Sequence, residues 1–260
     1  MDESAMLVVF HRAGGSEGRG LAAAVEGRAG DVGAALGASG HRLMVMRSPR
    51  HPVVAASGAM RARPVIRLVG GGSVGQGPGR EEPWQVTEVF TFETIDQLQG
   101  GWAALSDSVS LSVEGASCEV LGARALRVAG RDPEVGDVGM CFTLRCRDGV
   151  ERAEMQRMWL DEHAPLVLKG ERAMGFDGYL QAHTLDLPQP AGTTQGEADA
   201  VGFLTFRSMA RMALKSSLPG ALVANVRLVR DEPRFIHPPA TTLLLGTWAT
   251  TTDIASRSAT

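Results

Sequence analysis

M-Q-R-M-W-L-D-E-H-A-P, residues 155–165, contains a tryptophan and a histidine four positions apart, with a proline shortly after them. Met155, Trp159 and His163 recur at every fourth position, so a helix would place all three on one face. Pro165 disfavours the helical conformation of the residue before it. The stretch therefore predicts a helix that ends or kinks just after His163, with the imidazole beside the Trp159 ring.

A histidine at such a helix end supports two interpretations. With one edge free, the imidazole of His163 could hold or move a proton on a bound molecule, because histidine titrates near neutral pH. It could equally be a partly buried structural residue packed on Trp159. The helix alone does not separate these alternatives.

Length, charge and hydropathy exclude several classes of protein. The 260 residues are enough for a large core, and the formal net charge of −3 provides no basic field for nucleic acid. No apolar run is long enough to span a bilayer, and the first residues lack the order of a signal peptide. We therefore expect a cytoplasmic protein without a nucleic-acid or membrane partner.

Cysteine usage predicts neither a disulfide framework nor a metal site. Cys118, Cys141 and Cys146 are an odd number and contain no C-x-x-C pair. No metal and no cofactor is therefore expected.

The predicted elements occur twice in the same order. Strands are predicted at residues 6–10, 43–46, 84–92 and 118–128, and again at 138–144, 178–184, 199–206 and 243–248. Helices are predicted at 16–36, 94–105, 148–163 and 208–218, with a further helical piece or turn at 166–174 and disorder after Thr250. F-T-F-E-T-I at 90–95 also aligns with L-T-F-R-S-M at 204–209. The chain is therefore predicted to divide into residues 1–130 and 138–250, joined by a turn-rich linker.

This order predicts an α+β fold made of two ferredoxin-like βαββαβ repeats. The helices of such a repeat cover only one face of its four-stranded sheet. The other face needs a partner, which a second copy in the same chain supplies. The expected architecture is an intrachain dimeric α/β barrel.

A glycine-rich stretch resembles nucleotide and hydrolase motifs only by spacing. Gly70, Gly72 and Gly75 fit G-x-G-x-x-G, and Gly71, Ser73 and Gly75 fit G-x-S-x-G. Both motifs need a helix directly afterwards, and the following Q-G-P-G breaks one. Residues 70–83 are therefore predicted to be a flexible loop that binds no nucleotide.

Four stretches in the second half resemble the EthD family of dimeric α/β-barrel proteins. They are W-L-D-E-H-A-P-L at 159–166, G-Y-L-Q-A-H at 178–183, D-A-V-G-F at 199–203 and D-E-P-R-F-I at 231–236. The first half matches only in plan, because its first helix has neither the tryptophan nor the histidine. Relatives on this barrel include isomerases, polyketide cyclases, decarboxylases, dehydratases and cofactor-free monooxygenases, so the resemblance implies the fold more strongly than the activity.

A polar strand face supplies the other candidate site residues. Tyr179, Gln181 and His183 alternate along one strand, and we expect this face to point into the barrel, with the helices covering the apolar face. A buried polar trio needs hydrogen-bond partners, which either a ligand cavity or a network between the sheets provides. Asp199, at the start of the neighbouring strand, could orient a histidine or cap the strand end.

Two functions are compatible with these residues. In an enzyme, His163 and His183 would be the acid and base, Tyr179 would donate to a developing oxyanion, and Trp159 and Gln181 would contact the substrate. A small cyclic, aromatic or polyketide-like compound would then be cyclised, isomerised, dehydrated or decarboxylated without a cofactor. Alternatively, the barrel binds a small ligand or a protein without turnover. Haem ligation by His163 is a further alternative implied by distant barrel relatives, and homodimerisation is left open.

Overall fold

The computed structural model describes most of both halves of the chain. The described residues are 3–13, 18–46, 73–74, 84–107, 109–111, 113–190 and 193–254. The loop predicted at 47–63 lies outside them. So does the glycine-rich loop predicted at 70–83, except for Ser73 and Val74.

The described residues of the first half form five strands and two helices. In chain order they are β1 Glu3–Ala13, α1 Gly18–Leu36, β2 Gly40–Met46, β3 Ser73–Val74, β4 Val86–Phe92, α2 Ile95–Asp107 and β5 Ala116–Gly130. The predicted capping residue Thr94 accepts a hydrogen bond from the Gln97 backbone N–H at 3.2 Å. The predicted helix start at Thr94 is therefore confirmed.

The second half contains five strands and four α-helices. They are β6 Val138–Leu144, α3 Arg152–Met158, α4 Ala164–Met174, β7 Gly178–Thr184, β8 Thr194–Gln195, β9 Ala200–Phe206, α5 Met209–Ser216, α6 Pro219–Asp231 and β10 Thr242–Asp253. A π-helical segment, Trp159–His163, joins α3 to α4. The sequence predicted β6 and β7 with these bounds and missed α6. The predicted disordered tail is wrong over Thr251–Asp253, which continues β10 and pairs with β2.

Eight of the ten strands form a closed antiparallel barrel. Their order is β1-β4-β2-β10-β6-β9-β7-β5, and β5 pairs again with β1. The two-residue strands β3 and β8 add to the edges of β10 and β5 in parallel. The α+β class and the barrel predicted from the sequence are therefore confirmed.

Two strand pairings between the halves close the ring. Gly40–Met46 of β2 pairs with β10, and β5 pairs with Gly178–Thr184 of β7. Each edge strand of one half thus completes its backbone hydrogen bonds on the other half. This arrangement leaves none of the eight strands with an open edge.

Small and apolar side chains fill the barrel interior. They come from both halves and form one buried cluster that includes Phe10, Met44, Ala182, Phe203 and Trp248. The helices cover the outside of the barrel, where three further clusters pack, two in the first half beneath α1 and α2 and one beneath α3 to α6. No helix of the described residues is long and apolar enough to cross a membrane.

A charged cluster is buried on the outer face of the first half. Glu88 on β4 lies 3.1 Å from the Nε2 atoms of both His11 and His41, and Arg28 of α1 donates to it at 2.8 Å. Burial alone would raise the pKa of Glu88, but the hydrogen bonds from His11 and His41 and the charge of Arg28 lower it to about 2. The carboxylate therefore stays ionised and ties β1, β2 and α1 to β4.

We expect Glu88→Gln to lower the free energy of unfolding by about 3–5 kcal/mol at neutral pH, because it leaves buried charges without their partner. The folded pKa of Glu88 lies below its unfolded value of 4.5, so its contribution is present above pH 4.5 and is lost as the pH falls towards 2. Urea titrations between pH 7 and pH 3 should show the difference between wild type and variant shrinking below pH 4.5. The exposed Glu93→Gln variant is the matched control. Equal stability of the two variants at pH 7 would contradict the assignment.

Candidate functional site

A cavity of about 110 Å³ lies between the outer face of the second-half sheet and the helices over it. Met140, Phe142 and Leu204 line it from the strands, and Val167, Leu228 and Val229 from α4 and α6. Trp159, His163 and Tyr179 line the same cavity. The structure thus brings together three of the six predicted site residues in a mainly apolar space.

The helix that carries Trp159 and His163 does not end at the histidine. The backbone N–H of Ala164 donates to the carbonyl of Trp159, five residues earlier, and the chain continues directly into α4. Ala164 has helical dihedrals, φ −57° and ψ −41°, although Pro165 follows. The predicted helix end is therefore wrong, because the wider π-helical turn makes room for the proline ring that a regular α-helix would crowd. The predicted cap Asp148 is also wrong, since Glu151 precedes the first helical residue.

The predicted common face of this helix is present in spite of the π-helical turn. Met155, Trp159 and His163 are all buried, whereas Arg157 and Asp161 are exposed. His163 is only 6% exposed, so the expectation of a partly exposed imidazole was wrong. Its ring packs edge-on against a further aromatic side chain, Phe235.

His163 forms a dyad with Asp231, the last residue of α6. The Nδ1 atom of His163 lies 2.9 Å from Asp231 Oδ2. Because Nδ1 is committed to the carboxylate, the nitrogen left for a ligand is Nε2. Asp231 thus fixes the tautomer and the orientation of an imidazole that lines the cavity.

Surface charges keep the Asp231 carboxylate in place. Arg234 donates to Asp231 Oδ1 and to Glu162 Oε2, both at 2.7 Å. Burial acts to raise the pKa of Asp231, but the hydrogen bonds from Arg234 and His163 outweigh it, and the pKa lies below its ordinary value. Asp231 is therefore ionised at neutral pH and accepts the Nδ1–H of His163.

The polar face of β7 points towards the helices and not into the barrel. Trp159 stacks on His183 with ring centroids 5.3 Å apart, and the Gln181 amide lies against the Trp159 carbonyl. The opposite face, which includes Leu180 and Ala182, packs in the barrel interior. The predicted orientation was wrong because the closed barrel takes the small and apolar face inside. The polar trio is satisfied by its own hydrogen bonds beneath α3.

These hydrogen bonds run in one direction along β7. The Nε2 atom of His183 lies 2.9 Å from Gln181 Oε1, and Gln181 Nε2 donates to the Tyr179 hydroxyl at 2.8 Å. The Tyr179 oxygen therefore accepts from Gln181, and the Tyr179 side chain lines the cavity. Gln181 and His183 do not line the cavity and support Tyr179 from behind.

Burial sets the protonation of both ends of this chain of hydrogen bonds. It raises the pKa of Tyr179 well above its ordinary value, against the lowering effect of hydrogen bonds from Gln181 and Trp159. Burial and the positive charge of Arg124 lower the pKa of His183 to about 4. At neutral pH Tyr179 is thus a neutral donor and His183 a neutral imidazole.

The Asp199 carboxylate is bound by groups other than the two histidines. It accepts the backbone N–H of Cys146 at 2.8 Å and the Arg152 guanidinium at 2.9 Å. Of the two roles that the sequence left open, this geometry corresponds to a strand-end contact. Asp231 holds the position beside His163 that the sequence analysis considered for Asp199.

Sequence reasoning missed Asp231 because it missed α6. The signal was present, since Pro219 occupies the first turn of α6, and Ala221 and Leu228 are buried seven positions apart. That spacing is typical of an amphipathic helix. Asp231 also lay within the D-E-P-R-F-I stretch of the EthD resemblance, which did not show what the carboxylate contacts.

No family model matches the chain, and no curated protein matches it. Among solved structures, an anthrone oxidase-like protein superposes with a TM-score of 0.60 and 12% sequence identity, over 98% of this chain and 94% of the other. The chain has the dimeric α/β-barrel fold. A candidate monooxygenase from Fusobacterium nucleatum subsp. nucleatum gives a TM-score of 0.50 and 6% identity, over 97% and 96% of the two chains. Identities this low establish the fold alone, and membership of the EthD family stays a prediction.

The volume of the cavity limits what this dimeric α/β barrel can hold there. An apolar cavity of about 150 Å³ accommodates one benzene ring, and this cavity measures about 110 Å³. A haem is far larger than a single ring, so the cavity does not fit one beside His163. Within the described ranges, no group of three or more His, Cys, Asp or Glu side chains is placed to hold a metal ion.

The depressed pKa of His183 predicts a pH-dependent stability. Because the pKa falls from 6.5 to about 4 on folding, the unfolded chain binds the proton first, and stability is lost as the pH falls from 6.5 towards 4. His183→Gln retains an N–H donor for Gln181 and does not titrate. We therefore expect the melting temperature of wild type to fall more steeply than that of the variant between pH 6.5 and pH 4. Parallel curves would contradict the neutral, buried imidazole.

Proposed function

We propose that the protein is an enzyme that removes a proton next to a carbonyl group of a small cyclic compound, without a cofactor. The observation that carries this proposal is the His163–Asp231 dyad at the wall of an apolar cavity. Tyr179, a neutral donor, lines the same cavity. Cyclisation, isomerisation and dehydration can all start from such a step, and decarboxylation reaches the same enolate by loss of CO₂ instead of a proton.

His163 is the proposed general base. Its Nε2 atom takes the proton from carbon, and the electron pair moves onto the carbonyl oxygen to form an enolate. Ionised Asp231 stabilises the resulting imidazolium through the Nδ1–H bond of 2.9 Å. The imidazolium then returns its proton to another atom of the ring or to a leaving group, which completes an isomerisation or an elimination.

Tyr179 is the proposed donor to the enolate oxygen. Its oxygen already accepts the Gln181 amide at 2.8 Å, so its own proton is available. A preorganised donor in an apolar site stabilises a developing oxyanion strongly, because no water has to reorganise around it. Gln181 and His183 are positioning residues in this proposal, and Trp159 is an apolar wall for a flat substrate.

A second reaction is favoured by the structural neighbours. The most extensive likeness above is to an anthrone oxidase-like protein, and another is to a candidate monooxygenase. The same carbanion could react with molecular oxygen as the oxidant instead of being reprotonated. The proposed first step and its residues are unchanged, and the two reactions differ in oxygen consumption.

We also propose that the chain consists of two ferredoxin-like repeats, residues 1–130 and 138–250, the second of them EthD-like. Strand order supports this division. Within each half, the fourth strand pairs with the first, the first with the third, and the third with the second, if β3 and β8 are left aside. The outer face of the first half carries the buried Glu88 cluster where the second half has its cavity.

Hydrogen exchange tests the proposed first step without knowledge of the natural substrate. We expect the wild-type protein in D₂O to accelerate deuterium uptake next to the carbonyl of cyclohexanone, followed by NMR. The three-ring anthrone should respond less, because the cavity is small. His163→Gln can still donate to Asp231 but is no base, and it should lower the rate by at least about 10²-fold.

Two further variants complete this experiment. Asp231→Asn should lower the rate at least tenfold, because the imidazolium loses its counter-charge. His237→Ala removes an exposed histidine outside the cavity and should leave the rate unchanged. Thermal stabilisation by these compounds without any hydrogen exchange would overturn the proposed enzyme function. It would favour the alternative, a barrel that binds a ligand without turnover. A product that forms only under oxygen would favour the oxidase.

A further inference from the structure

Four apolar side chains are exposed within ten residues around the turn from α5 to α6. Leu214 is 64% exposed, and Leu218, Leu222 and Val223 are between 42% and 52% exposed. Most other large apolar side chains of the described residues are covered. This group, which we term the α5–α6 apolar patch, needs an explanation beyond the packing of the barrel.

The patch lies in a strongly basic segment of an acidic chain. Residues 200–230 contain five basic residues and no acidic one, although the whole chain has a formal net charge of −3. The basic residues are Arg207, Arg211, Lys215, Arg227 and Arg230. Asp177 partly neutralises Arg207 and Arg211, at 3.7 and 3.4 Å, whereas Arg227 and Arg230 are exposed on α6. The exposed apolar side chains thus belong to a segment with five positive charges, two of which are paired with Asp177.

We propose that the α5–α6 apolar patch docks on an anionic lipid surface. Aliphatic side chains beside arginine and lysine are the chemistry by which a helix enters the headgroup region of an anionic bilayer. A membrane partner was not expected from the sequence, where only a spanning segment was considered. Docking at the surface needs no spanning segment.

Two other occupants fit the patch less well. A second copy of the chain would bring the same basic segment against itself and place like charges together. A protein interface of the usual kind draws on aromatic side chains, and Leu214, Leu218, Leu222 and Val223 include none. Residues 200–230 contain basic but no acidic residues. The segment is therefore attracted to anionic headgroups and repelled by the same segment of a second copy.

The position of α6 connects the docking surface with the cavity, and this connection rests on the proposed function. The exposed face of α6 carries Leu222 and Val223, and the buried face lines the cavity through Leu228 and Val229. An apolar substrate dissolved in the bilayer would therefore meet a helix that also lines the cavity with His163. Lipid binding itself does not depend on catalysis and is measured separately.

Co-sedimentation of the full-length chain with vesicles tests the docking. We expect binding to vesicles of equimolar phosphatidylglycerol and phosphatidylcholine to be at least tenfold stronger than binding to phosphatidylcholine alone, and to weaken in high salt. Leu218→Ser/Leu222→Ser should weaken anionic binding at least tenfold. Val135→Ser changes a residue that is 63% exposed elsewhere and should have no effect.

Charge and assembly are tested with the same assay. Arg227→Gln/Arg230→Gln should weaken binding to anionic vesicles at least fivefold and flatten the salt dependence. Circular dichroism melts confirm that the variants are folded. Absence of binding to anionic vesicles, or an equal loss in Val135→Ser, would overturn the proposal. So would light scattering that shows Leu218→Ser/Leu222→Ser to convert a dimer into a monomer while vesicle binding is unchanged. If His163→Gln loses proton exchange but still binds vesicles fully, the docking proposal stands. That result bears only on the proposed enzyme function.

Discussion

The pairing of β2 with β10 and of β5 with β7 is the constraint on which the rest of the structure depends. It joins the halves by main-chain hydrogen bonds at both edges and removes every open edge of the eight-stranded ring. Side chains can fill the interior of an eight-stranded barrel, and here Phe10, Met44 and Trp248 help to fill it. The cavity that contains His163 lies outside the barrel, beneath the helices of the second half. The helices therefore supply many of the side chains around the cavity, and the barrel fixes the positions of these helices.

Local pattern was enough to predict most of the elements but not the direction in which their faces point. β6 and β7 begin and end where alternation and turn residues indicated, and the closed barrel followed from the repeated order of elements. The polar face of β7 was expected in the barrel interior because the helices were expected to cover the more apolar face. In the structure, Tyr179, Gln181 and His183 satisfy one another, so they could be buried against α3. The tight barrel interior took the smaller side chains.

The most informative contacts join residues that are far apart in the chain, and single-sequence patterns do not predict such pairs. His163 and Asp231 are separated by 68 positions, and His11 and Glu88 by 77. Each is an ordinary polar residue in its own segment. Only the packing of α6 over α4, or of α1 over β4, turns them into a dyad or a buried charge cluster. The resemblance to the EthD family included residues 231–236, but it did not show that Asp231 contacts His163.

The π-helical segment Trp159–His163 has a consequence for how such a site could arise. One residue inserted into a buried α-helix rotates everything after it by about 100° and would lift Val167 and Met174 off the sheet. A wide turn absorbs the additional residue locally, and both flanking helices keep their buried sides. A single inserted codon could therefore have added a site to a barrel that was already stable, without a search for a new fold.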